Sequence, residues 1–185
     1  MRPLPPTVNR SALAGWASYG SCRSHSRSFW GLRLHLVCTL HGLPIAFALA
    51  NPKIDERQVL LDLFDVEPAL LAERPGQLLI VDKGYRDAET EATLAARGLR
   101  LWRPAFANEP PRPGGQLLKS VRQLIESVND TLKGQLDLER HGGRSIEGVT
   151  IRVLQRLLAL TAVIWHNHTT GQPVMRSLVA YDHYA

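Results

Sequence analysis

The run Leu78-Leu79-Ile80-Val81 is apolar without interruption and stops at Asp82-Lys83-Gly84-Tyr85. A short continuous apolar segment closed by a glycine turn predicts a strand buried on both faces, which requires a sheet covered by helices. Open α/β sheets place their ligands at the carboxyl ends of their strands, and Asp82 stands at such an end. Two readings of it stay open. It fits a functional carboxylate, and it fits a turn residue, because Asp-x-Gly is ordinary turn chemistry.

The flanking segments supply the rest of a layered fold. Phe29 to Leu40 places Leu32, Leu34 and Leu36 on one side and Arg33 and His35 on the other, the alternation of a strand. His41-Gly42-Leu43-Pro44 turns the chain, and Ile45 to Leu49 returns as the second strand of a hairpin. Asp55-Glu56-Arg57-Gln58 has the form of a capping box ahead of a helix over Glu56 to Phe64 that buries Val59, Leu60 and Leu63. Asp87 caps a helix over Ala88 to Arg97, and Gly98 stops it. Leu99 to Arg103 reads as an edge strand, and Ala105 to Gly115 as a Pro/Gly-rich loop. Two long helices follow, from Gln116 to Leu138 and from Ser145 to the region of His166. Hairpin, helix, buried strand, helix, strand, then helices describes an α/β fold with a mixed sheet.

Glu126 is the second candidate carboxylate. In its helix Leu117, Val121, Leu124, Ile125, Val128, Leu132 and Leu136 form the apolar stripe. Off that stripe Lys119, Arg122, Glu126, Asn129 and Lys133 follow at helical spacing, so they share one face over roughly 21 Å at about 1.5 Å per residue. One carboxylate among three cations fits a metal ligand beside a phosphate track. It also fits an ordinary i,i+4 Arg122–Glu126 pair, worth about 0.2–0.5 kcal/mol.

Charge points the same way. The first 54 residues hold five arginines and one lysine and no carboxylate, and the chain carries a net +5 with a pI near 9.6. That balance favours a polyanionic partner, with simple solubilising charge as the alternative. Arg140, His141 and Arg144 cluster between the last two helices, either as phosphate contacts or as a solvated turn. Cys22 and Cys38 are too few for a disulfide framework or a zinc site, which fits a reducing cytoplasm. His35 reads as a packed strand histidine. His166 and His168 read as cations compensating a helix end rather than zinc ligands. The longest apolar stretch, Leu157 to Trp165, falls short of the roughly 20 residues that span a bilayer, and no membrane partner is expected.

Taken together, these motifs resemble a known family. Leu79-Ile80-Val81-Asp82-Lys83-Gly84-Tyr85 is similar to the second acidic motif of insertion-sequence transposases of the DDE class. Arg122-x3-Glu126-x6-Lys133 is similar to their third, with Lys119 where that family often has Tyr. The Phe29–Leu49 hairpin and Glu139-Arg140-His141-Gly142-Gly143-Arg144-Ser145 extend the resemblance over about Phe29 to Asn167.

The resemblance implies a ribonuclease-H-like fold in which three carboxylates bind two Mg²⁺ or Mn²⁺ ions against a scissile phosphate. It implies Asp82 and Glu126 as catalytic metal ligands. It implies Lys83, Arg122, Lys133, Arg140 and Arg144 as DNA contacts, with transposon ends and target DNA as partners and a homo-oligomer as a further prospect. The family's first carboxylate precedes the hairpin, where Met1 to Ser28 contains no Asp or Glu. The expectation is therefore an N-terminally truncated copy, lacking the first, central strand and catalytically incomplete; the other way to complete the site is a strand from another chain. Residues 1–28 are expected to be a basic, poorly ordered lead-in, with Trp16 and Tyr19 available to pin part of it. Residues 29–168 are the partial catalytic domain and 169–185 a tail. The alternatives are a non-catalytic nucleic-acid-binding protein and a ribonuclease-H-like nuclease.

Overall fold

The structure is a computed structural model and describes residues 11–22, 27–112, 114–173 and 176. In chain order its elements are β1 (Ser18–Cys22), β2 (Arg27–Gly31), β3 (Arg33–Cys38), β4 (Pro44–Ala50), α1 (Glu56–Val66), α2 (Ala69–Ala72), β5 (Leu78–Ile80), α3 (Ala88–Ala96), β6 (Arg100–Trp102), α4 (Gly115–Asp130) and α5 (Ile146–Thr169). Two compact units divide the chain. One comprises Met1–Lys53 with Leu124–Ala185, and the other Ile54–Gln123.

In the first unit, β3 and β4 form the expected antiparallel hairpin, with Leu34 opposite Leu49 and Leu36 opposite Phe47. These four residues pack on a core of Val128, Leu132, Val149, Val153, Leu157, Leu160 and Ile164. Gly42 turns the hairpin at φ +81°, and a Cβ there would meet Val128 Cγ2 at 2.8 Å, so glycine is required twice over. The long strand expected from Phe29 onward divides at Gly31. Its first part is β2, which pairs antiparallel with β1 and sets Tyr19 opposite Trp30. Part of the stretch expected as a loose lead-in is thus a ladder, held because Leu13 and Ala17 are buried in the core and Trp30 packs against it.

The closing helix α5 starts where Ser145 caps it, its Oγ accepting the Gly148 amide at 3.1 Å. Val149, Val153, Leu157, Leu160, Val163 and Ile164 are buried at helical spacing, and His166 and His168 sit in the last turn, where cations oppose the dipole. At 24 residues α5 is longer than its central apolar run suggested, and by length and composition it could cross a membrane. Here its buried stripe belongs to the core of this unit.

α4 departs from expectation at its end. Instead of running to Leu138, it stops at Asp130 and widens into a π turn over Thr131–Gln135, closed by the Leu136 amide on the Thr131 carbonyl at 3.0 Å. Thr131 is buried, and its hydroxyl donates back to the Ser127 carbonyl at 3.0 Å, a bond that loosens a helix, while Gly134 adds a weak helix former. The stripe also differs at its start. Leu117 is 64% exposed and Leu118 is buried.

The second unit holds α1, α2, β5, α3, β6 and the first turns of α4. β5 and β6 pair in parallel, Leu78 opposite Arg100 and Ile80 opposite Trp102. The buried apolar residues of this unit are Val59, Leu60, Leu63, Phe64, Leu94, Leu99 and Leu118. Asp55 caps α1 by accepting the Arg57 amide at 2.9 Å, but Gln58 does not complete the box, because its amide donates along the helix to Asp62. Asp87 caps α3 through the Thr90 amide at 2.8 Å, and Gly98 ends that segment at φ +80°.

β5 is not buried on both faces: Leu78 is 43% exposed and its neighbours are half-buried. The cause is the ladder. Among the described residues the strands pair as three two-stranded sheets, two antiparallel and one parallel, so β5 has only β6 beside it. The result is a small mixed α/β fold.

Candidate functional site

Two residues beyond β5, the chain passes through Asp82 into a 3₁₀ turn over Lys83–Tyr85. Asp82 is extended (φ −75°, ψ 174°), and its Oδ1 accepts the Gly84 amide at 2.7 Å. The turn role read from the sequence is therefore real. It does not consume the residue, because the side chain is exposed and Oδ2 makes no hydrogen bond among the described residues. Gly84 explains itself here: a Cβ at that position would stand 2.9 Å from Asp82 Oδ1.

Beside this turn lies a network that sequence reasoning missed. Arg103, one residue past β6, is 2% exposed. Its Nε donates to Glu91 of α3 at 2.8 Å, and its two terminal nitrogens donate to the carboxylate of Glu109 at 2.8 and 3.0 Å. Burial of an arginine is tolerated only with pairing this complete. Glu109 also accepts the Phe106 amide at 2.8 Å and reaches Arg86 Nε at 3.2 Å. The Arg103 guanidinium, then the Phe106 amide, hold the Glu109 carboxyl down at about 2. The Phe106 ring stands 5.0 Å from the Arg86 guanidinium, 5.9 Å from the Lys83 ammonium and 5.9 Å from Arg103. An Arg closing a strand and a Glu between prolines were visible in the chain, but nothing in their spacing announced that they meet.

The remaining candidates lie on α4 and in the segment joining it to α5. Arg122 and Glu126 are one helical turn apart on α4, both exposed. The division of the chain assigns Asp82, Lys83 and Arg122 to the second unit and Glu126, Lys133, Arg140 and Arg144 to the first. The side chain of Lys119 lies outside the described residues.

Lys133 sits in the π turn, 3.5 Å from the Glu139 carboxylate. Glu139 belongs to a 3₁₀ turn, Leu138–Arg140, that packs against the π turn, so Lys133 and the turn bearing Arg140 are neighbours. π turns recur at functional sites. His141 Nδ1 accepts the Gly143 amide at 2.9 Å, and burial, then the charge of Arg156, push its pKa down. Gly143 itself fits tightly over the start of α5, where a Cβ would approach the Val149 amide nitrogen to 2.7 Å. Arg144 follows, exposed.

His35 is half-buried on β3, and its Nε2 is buried without a hydrogen-bond partner among the described residues. Burial first, and Arg33 second, lower its pKa. Among the described residues no three His, Cys, Asp or Glu side chains gather as a metal site.

The sequence matches the family model described as transposase DDE domain over residues 5–162, well over half of the chain. This chain is a transposase DDE domain. No curated protein and no solved structure matches it. Membership of the family assigns the domain to DNA transposition, with DNA as the substrate class and divalent cations as the metal class its members generally use. The donor chemistry here suits that metal class. Carboxylate oxygens, one of them unengaged at Asp82, are the ligands a hard divalent cation takes.

Proposed function

We propose that this transposase DDE domain engages transposon-end and target DNA through a ribonuclease-H-like arrangement in which Asp82 and Glu126 act as divalent-metal ligands. The observation that carries this is the Asp82 carboxylate, exposed at the end of a parallel strand with one oxygen uncommitted among the described residues, in a chain that matches the family over residues 5–162. A Mg²⁺ or Mn²⁺ ion bound there would stabilise charge on a phosphate oxygen, and the protein's part is to hold the two carboxylates and the DNA backbone. Lys83, Arg122, Lys133, Arg140 and Arg144 supply the phosphate contacts, which position DNA without reading its sequence.

The residues of this sequence supply two of the three carboxylates that the proposed site calls for. The first carboxylate in the sequence is Asp55, which caps α1 and is tied to Arg57, so a third ligand would come from outside these residues. With two carboxylates alone, metal binding would be weak and strand cleavage would be lost. The proposed setting is the cytoplasm, and self-association is part of the same proposal, because a second chain is one way to complete the site.

The test is a transposon-end duplex with purified protein in Mg²⁺ and in Mn²⁺. Expected are salt-dependent binding and no nicking or joining. Robust cleavage abolished by Asp82→Ala would overturn the incompleteness. Binding indifferent to metal, and unchanged by Asp82→Ala and Glu126→Ala, would favour a simple nucleic-acid-binding module.

A further inference from the structure

We propose that Lys83 and Arg86, seated on the Phe106 ring, form a paired contact for DNA backbone phosphate beside Asp82, held in place by Glu109 and Arg103 as positioning residues. The inference rests on the reading above that the Asp82 turn faces DNA, and it names how that turn would take a phosphate.

The three cations around the ring differ in what they have left to give. Arg103 is buried and fully spent on Glu91 and Glu109, so it anchors and is unavailable to a ligand. Arg86 gives only its Nε to Glu109, at 3.2 Å, and its side chain is 46% exposed. Lys83 is exposed, and among the described residues no carboxylate lies within ion-pair distance of it. What it meets instead is the ring, at 5.9 Å.

That choice of partner matters chemically. A carboxylate would orient a cation by neutralising it. An aromatic face orients the cation and leaves its charge available. Two cations converging on one ring, beside a carboxylate with a free oxygen, therefore present positive charge to an incoming anion at a fixed place. Glu109 sets that place: it is gripped by buried Arg103, binds the Phe106 amide, and reaches Arg86. The ligand class is a phosphodiester, since ammonium and guanidinium both suit phosphate oxygens.

The experiment measures affinity of the full chain for a short mixed-sequence duplex between about 50 and 200 mM salt. Lys83→Ala with Arg86→Ala should flatten the slope of log K against log salt by about two, one for each phosphate that is no longer neutralised. Phe106→Leu keeps both charges, so it isolates positioning. It should weaken binding about three- to tenfold and flatten the slope by about one, with Phe106→Tyr restoring both. A folded Phe106→Leu protein with the parent slope overturns the positioning role. A double variant with the parent slope, or a parent chain without salt-dependent binding, overturns the phosphate contact. Failure of metal binding at Asp82 with these slopes as expected would count against the metal site alone.

Discussion

Asp82 and Gly84 are locked to one another: Oδ1 of the first accepts the amide of the second at 2.7 Å, and a Cβ on the second would stand 2.9 Å from that same oxygen. The turn therefore fixes the carboxylate of Asp82 through a neighbour that has no side chain to displace it. Gly84→Ala should push the carboxylate off its amide. We expect a stability loss of about 1 kcal/mol in thermal unfolding, the usual cost of removing a cap, together with weaker Mn²⁺ binding. Alanine with unchanged metal affinity would separate the turn from the site.

Arg103 is the residue on which the Asp82 neighbourhood is predicted to depend most. Arg103→Met leaves Glu91 and Glu109 without their buried partner. Breaking a buried pair from one side costs about 3–5 kcal/mol, and the lower end applies because both glutamates retain some solvent. Urea unfolding should show that loss without a change in the far-ultraviolet signature of the helices.

These two sites divide what the sequence made legible. The Asp82 turn was readable because a strand end, a carboxylate and a glycine lie within a few consecutive residues. The Arg103 network was not, because its partners come from α3 and from a loop and are brought to it only by folding. The hairpin, the caps at Asp55 and Asp87, and the start of α5 followed from alternation and local residue chemistry, while the capping role of Ser145 emerged from the structure. The burial of β5 was misjudged because an apolar run announces a strand but not how many strands flank it. The π turn stayed hidden because a Thr back-bond and one glycine are compatible with a straight helix in a pattern that counts only apolar positions.

Acid should act through Glu109. Its folded-state pKa, about 2, lies below its ordinary value of 4.5, so its contribution is fully present above pH 4.5. That contribution is lost as the pH falls through about 2. Tm should decline over this window, and Glu109→Gln should flatten the decline. A Gln variant with the parent's acid profile would assign the effect elsewhere, with Asp55, also held at about 2 by Arg57, the next group to substitute.

The first unit should be most sensitive at α5. Leu160 is fully buried in its core, and Leu160→Ala should destabilise by about 2–5 kcal/mol through reduced burial and the cavity left behind. Leu158→Ala, at a position 64% exposed, should change stability by less than about 0.5 kcal/mol in the same denaturation series.

Whether Asp82 and Glu126 are both metal ligands is decided by a Mn²⁺ titration of four proteins: parent, Asp82→Ala, Glu126→Ala and the double variant. Ligation by both residues predicts that either single substitution removes most of the binding and the second adds little, a strongly non-additive cycle. Losses that simply add, or a Glu126→Ala protein that titrates like the parent, would contradict it.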